Sequence, residues 1–222
     1  MIREENYVEH VVANAERWAK EKLGGDSSGH DWWHIERVRN MALRLAKETG
    51  ADAFICEMAA LLHDLADEKL FGDEEQALRD IRAWLEAQNV PSDTSDRIVD
   101  IIANLSFKGG GRSGMTTLEG RVVQDADRLD ALGAVGIART FAYSGWKGQP
   151  MHDPTLPPRM SMTAEEYRKG KSTAVNHFHE KLLKLKSLMN TDEARAIAAE
   201  RHRYMESFLE RFEAEWNGQD AQ

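Results

Sequence analysis

The chain has 222 residues, of which 41% are apolar and 30% charged, and its formal net charge is -9. That apolar content excludes a disordered protein, and the length suffices for one large core, so a single globular domain over residues 1–222 is expected. An acidic balance argues against coating nucleic acid or an anionic membrane, so any nucleotide ligand has to meet a local basic patch.

In chain order, the opening MIREENYVEHVVANAERW is too charged for a secretory segment, and no window approaches the ~20 apolar residues of a membrane span. A cytoplasmic location is therefore expected. Ile35, Val38, Met41, Ala42, Leu45 and Ala46 form a helical stripe that stops at Gly50, a residue suited to a left-handed helix end. The next helix is predicted from about Asp52 to Ala66, and Cys56, the single cysteine, lies within it as a core thiol with no disulfide partner. Further stripes run through Leu78, Ile81, Trp84 and Leu85, then through Ile98, Ile101, Ile102 and Leu105. Ser106 to Gly114 is a Gly-rich loop carrying Lys108 and Arg112. Leu118, Val122, Val123 and Leu129, then Val135, Ile137, Ala138 and Phe141, continue the helical pattern.

Tyr143 to Met162 holds four of the five prolines, and a stretch of that length without regular structure is usually a lid, a binding loop or a partner contact. Two long helices are predicted to close the chain within 163–216. The first opens at Thr163 with Glu166 in a capping-box pattern and carries Val175, Phe178, Leu182 and Leu185; the second opens at Thr191. Nothing alternates with period two for long, so the fold class is all-α, with no internal repeat or linker.

The dipeptide His-Asp occurs at His30-Asp31, His63-Asp64 and His152-Asp153, and only the second is packed in apolar residues, between Leu62 and Leu65. A desolvated imidazole beside a carboxylate needs hydrogen bonds, opposite charge or a cation. Two further groups fit a shared cation. His34 opens the stripe 29 residues before His63, and Asp127 interrupts an apolar helix 63 residues after Asp64. Two imidazoles with two carboxylates suit Mn²⁺, Mg²⁺, Co²⁺, Fe²⁺ or Zn²⁺ and leave room for water and substrate oxygens. Asp125 and Asp130 are the rivals of Asp127, Asp125 pointing about 200° away on a helix and Asp130 placed to cap or to pair with Arg128.

The order His34, His63-Asp64, Asp127 on consecutive helices resembles the HD superfamily of metal-dependent phosphohydrolases. GHDWWHIERV, ALLHDLADE, NLSFKGG, EGRVVQDADRLDALGAVGIARTFAY and AVNHFHEKLLKLKSLM with RHRYMESFLERF extend the resemblance over most of the chain. They are similar to a subgroup of small bacterial HD hydrolases that includes a deoxynucleoside triphosphate pyrophosphohydrolase. The resemblance implies an HD-type helical bundle with a metal-site core over about 30–142. It gives the four ligand roles to His34, His63, Asp64 and Asp127, and acid/base or water-positioning work to Asp67 or Glu68, whose bland alternative is a solvated helix end.

Around that centre, Lys108, Arg37, Arg128 and His30 are the candidates to meet substrate phosphate, although a charged loop is often merely solvated and His30 with Asp31 could simply cap the next helix. Trp32-Trp33 could stack on a base or anchor a helix start. The expected activity is hydrolysis of a (deoxy)nucleoside triphosphate to monophosphate and pyrophosphate with Mn²⁺ as the first-choice ion. The rivals are a 5′-nucleotidase or another phosphomonoesterase or phosphodiesterase of the superfamily, and a regulatory module that binds nucleotide without turnover. A small-molecule phosphate is the expected partner, and a homodimer is compatible with the chain.

Overall fold

The computed structural model describes residues 2–24, 31–66, 73–105, 115–160 and 170–219. His30, Asp67, Glu68, Lys108 and Arg112, together with Thr163 and Glu166, lie outside the described residues. Among those described, every regular element is helical, as the patterning predicts. They group into two compact units, Met1–Asp127 and Arg128–Gln222.

The first unit begins with α1 (Ile2–Leu23), a charged helix that buries Val11, Ala15, Ala19 and Leu23 on one face. It continues with α2 (Trp32–Thr49), α3 (Ala53–Leu62), α4 (Glu74–Ala87) and α5 (Ser92–Leu105), and α6 (Leu118–Asp130) runs through its boundary. Residue chemistry sets the helix ends. Gly50 takes φ 75° after α2 and its amide bonds to the Ala46 carbonyl, while Asp52 caps α3 by accepting from the Ile55 amide at 3.2 Å. Asn89, at φ 60°, turns the chain out of α4 in the left-handed conformation that Asn tolerates.

α3 is apolar but for Glu57 and is largely buried, with α1, α2 and α5 packed against it. Ile55, Met58, Leu61 and Leu62 are fully enclosed, and so is Cys56. Arg39 joins three of these helices, donating to Glu57 on α3 at 2.8 Å and to Glu16 on α1 at 3.2 Å.

The expected helix from Asp52 to Ala66 is α-helical only to Leu62, and His63–Ala66 tightens into a 3₁₀ turn. Such tightening is common where a helix ends and its last carbonyls lose their ordinary partners.

In the second unit, α7 (Gly133–Trp146) starts at a glycine with φ 73°, where a side chain would meet Arg201. It packs with α8 (Ala174–Glu180) and α9 (Asp192–Trp216) around Phe141, Phe178, Phe208 and Phe212, whose neighbouring ring centroids lie 5.8–6.1 Å apart. Thr191 caps α9 as predicted, accepting from the Ala194 amide at 3.3 Å.

The other closing helix differs from expectation. Residues 171–173 are not helical, Thr173 is the cap, and helix α8 ends at Glu180. A 3₁₀ segment, Leu182–Leu188, follows. Its three-residue turn stacks Leu182 and Leu185 on one buried face, so the apolar spacing that suggested a continuing α-helix is satisfied by a tighter one. The Pro-rich segment is tied down over its described part: Asn176 donates to the Leu156 carbonyl at 2.8 Å, and Arg159 pairs with Glu180 at 2.9 Å.

Candidate metal centre

His34 occupies the third position of α2, where the helix start holds its backbone rigidly. The Asp31 carboxylate accepts from the His34 amide at 2.9 Å, and the Asp31 carbonyl accepts from the same amide at 3.0 Å. The capping role considered for Asp31 is therefore the one it fills. Trp32 is buried beneath the Lys20 ammonium, 4.4 Å from its ring centroid, whereas Trp33 stays exposed. Of the paired aromatics, then, Trp32 anchors the helix and Trp33 faces solvent. Arg37, one turn on, is half-buried.

From α2 the His34 ring reaches the 3₁₀ turn that follows α3. His34 Nε2 lies 3.5 Å from Asp64 Oδ2 and 3.5 Å from Asp127 Oδ1, which comes from the last turn of α6. His63 Nε2 lies 3.2 Å from Asp64 Oδ1 and 4.0 Å from Asp127 Oδ1. The two rings meet edge to face at 5.4 Å. Ligand atoms from His34, His63 and Asp127 all fall within 4.8 Å of one another, and Asp64 touches both imidazoles.

His63 shows why this cluster suits a cation. Its Nδ1 sits 2.9 Å from the Ala60 carbonyl oxygen, which can only accept, so the proton of a neutral ring is on Nδ1. Nε2 then presents a lone pair to the Asp64 carboxylate, and this buried atom has no hydrogen-bond partner among the described residues. Lone pair against carboxylate is repulsive in a desolvated site, and a shared metal ion turns every one of these contacts favourable. Spacing agrees: bonds of ~2.0–2.2 Å place adjacent ligand atoms roughly 3 Å apart and opposite ones about 4 Å apart. The residues therefore fit a divalent ion.

Three groups of the cluster are buried and the fourth is partly exposed. Side-chain exposure is 2% for His34, 5% for His63 and 7% for Asp64 but 35% for Asp127, so water or a ligand would approach along the Asp127 edge. An accessible ligand set of this kind is what hydrolytic centres need and what structural sites lack.

The other acidic groups of α6 lie elsewhere. Asp125 is fully enclosed, and Asp130 is paired with Arg139 at 2.6 Å. Arg128 donates to the Leu188 carbonyl. Glu119, which the sequence reading passes over, is buried in the first turn of α6, where an acidic residue ordinarily does no more than complement the helix dipole.

Comparison with known proteins places this geometry in a family context. Residues 32–132 match the HD domain model. A Lactobacillus plantarum protein of known structure is 45% identical and superposes with a TM-score of 0.83 over 95% of this chain and 98% of that one. An HD-superfamily hydrolase from Bacillus thuringiensis is 48% identical, with a TM-score of 0.77 over 96% of this chain and 100% of that one. Bacillus subtilis YpgQ is 40% identical over 207 residues, 92% of this chain and 93% of YpgQ. Its crystal structure in complex with ADP gives a TM-score of 0.75 at 36% identity, over 94% of this chain and 100% of that one.

Proposed function

Since the chain belongs to the HD superfamily, we propose that it is a metal-dependent hydrolase of nucleotides, releasing pyrophosphate from a (deoxy)nucleoside triphosphate, and that its whole length works as one HD-type domain. The observation that carries this reading is the convergence of two buried imidazoles and two carboxylates with one exposed edge. The nucleotide class is supported by YpgQ, a relative along nearly the whole chain that has been crystallised with ADP.

In this reading His34, His63, Asp64 and Asp127 hold one divalent ion, with Mn²⁺ the first candidate. A bound ion of that kind supplies Lewis acidity and lowers the pKa of water beside it. Buried His34, His63 and Asp64 fix the inner wall, and the Asp127 edge admits the phosphate chain. Asp67 or Glu68, directly after the ligand turn, accepts the proton of the water attacking the α-phosphorus. Lys108, Arg37, Arg128 and His30 balance charge on the phosphates; more than one basic group suits a di- or triphosphate better than a single phosphate.

The second reading is a 5′-nucleotidase, and products separate the two. Incubation with deoxynucleoside triphosphates and Mn²⁺ is expected to yield monophosphates and pyrophosphate. Inorganic phosphate from monophosphates, with triphosphates untouched, would select the nucleotidase, and binding without turnover of either would select a regulatory module.

A further inference from the structure

We infer that Glu119 sets the register of α6 against α3 and thereby positions Asp127 opposite His63 and Asp64. The inference rests on the reading of Asp127 as a ligand of the metal centre. Asp127 is the one member of the cluster that α6 supplies, and it stands on the last turn of that helix. A ligand in that place is only as well placed as the helix that bears it.

Glu119 fastens the opposite end. One carboxylate oxygen accepts from the backbone amide of Asp52 at 3.2 Å, and the other meets the Arg97 guanidinium of α5 at 2.9 Å. Asp52 is itself the cap of α3. The first turn of α6 is thus bonded to the start of α3, while Asp127 at the end of α6 meets His63 just past the end of α3. The two helices are thus linked start to start through Glu119 and end to end through Asp127. From Glu119 to Asp127 is about 12 Å of helix, and from Asp52 to His63 about 16 Å. A shift of one residue at the Glu119 end would carry Asp127 ~1.5 Å along the axis and turn it by roughly 100°, enough to remove it from the cluster.

The joint is built to hold. Glu119 is only 9% exposed, so its carboxylate has little freedom to find other partners. Burial alone would raise its pKa, but hydrogen bonds from its own amide, the Asp52 amide and Arg97 outweigh that and keep the carboxyl below its ordinary range. Glu119 is a positioning residue that touches neither ion nor substrate.

A double-mutant cycle on the full chain tests this, with Mn²⁺ as probe and affinity read from the signal of free Mn²⁺ in electron paramagnetic resonance, well below the unfolding temperature. Glu119→Ala is expected to weaken Mn²⁺ binding about tenfold, as loss of an orienting partner does at other metal sites. In an Asp127→Ala background the same change should cost nothing further, because the effect passes through Asp127. Should Glu119→Ala not fold, Glu119→Gln goes through the same cycle, with about a twofold loss expected in the native background and none beside Asp127→Ala. Losses that add, or no loss in the native background, overturn the inference. Unchanged affinity in Asp127→Ala alone would instead overturn the ligand reading on which it rests.

Discussion

The Ala60 carbonyl accepts from Nδ1 of His63 at 2.9 Å, and this bond decides the chemistry at the other side of the ring. In the neutral ring it leaves Nε2 as a buried lone pair facing Asp64 at 3.2 Å. A neutral imidazole lone pair against a carboxylate is repulsive without a cation, so the folded chain should be measurably more stable with one.

Mn²⁺ in excess is therefore expected to raise the unfolding temperature by several degrees, about 3 kcal/mol at a hundredfold excess over Kd. His63→Ala and Asp64→Ala should abolish that rise and lower metal content on purification, read by elemental analysis. A rise of equal size in both variants would place the ion elsewhere.

Separating ligand from catalyst needs a different substitution. Asp67→Asn should retain Mn²⁺ at wild-type stoichiometry and reduce turnover by 10²-fold or more, the usual scale for removing a general base. Turnover at the wild-type rate would pass the role to Glu68. Lys108→Ala, in contrast, should raise KM or lower kcat with metal content unchanged.

Cys56 offers a probe of the first unit. The thiol is fully enclosed in α3, and burial, with Glu119 and Asp52 adding to it, pushes its pKa up to about 12. Thiolate is the reactive form, so native protein should resist iodoacetamide at pH 8 and be modified only on unfolding. Stoichiometric labelling of the native protein within minutes would contradict this burial.

How much of this was legible in the residues follows from what each signal depends on. Gly50, Asp52 and Thr191 announce helix ends because caps are local chemistry, and the structure uses all three. His34, His63, Asp64 and Asp127 stand out in the sequence as polar groups on apolar helices that also match a family pattern, and the fold gathers them. The 3₁₀ turns at His63–Ala66 and Leu182–Leu188 were not legible, because apolar residues three apart suit either helix type. Glu119 was invisible for another reason: its partners, Asp52 and Arg97, are 67 and 22 residues away in the chain, and only packing unites them.

The second unit should lose stability in mild acid through His177. Burial, with the nearby Lys181 charge adding to it, lowers the imidazole pKa from 6.5 to about 4, against an opposing effect of Glu180. The native state thus prefers the neutral ring, and between those values the unfolded chain binds more protons. Stability from this group is complete above pH 6.5 and is lost as pH falls toward 4, by up to about 3 kcal/mol if the full shift is expressed. Carboxylates titrate over part of the same window, so the comparison is with His177→Gln, which has no proton to bind. Urea unfolding at pH 7.5, 6, 5 and 4.5 should show the native chain falling more steeply than the variant. Parallel curves would mean that His177 titrates alike in folded and unfolded chains.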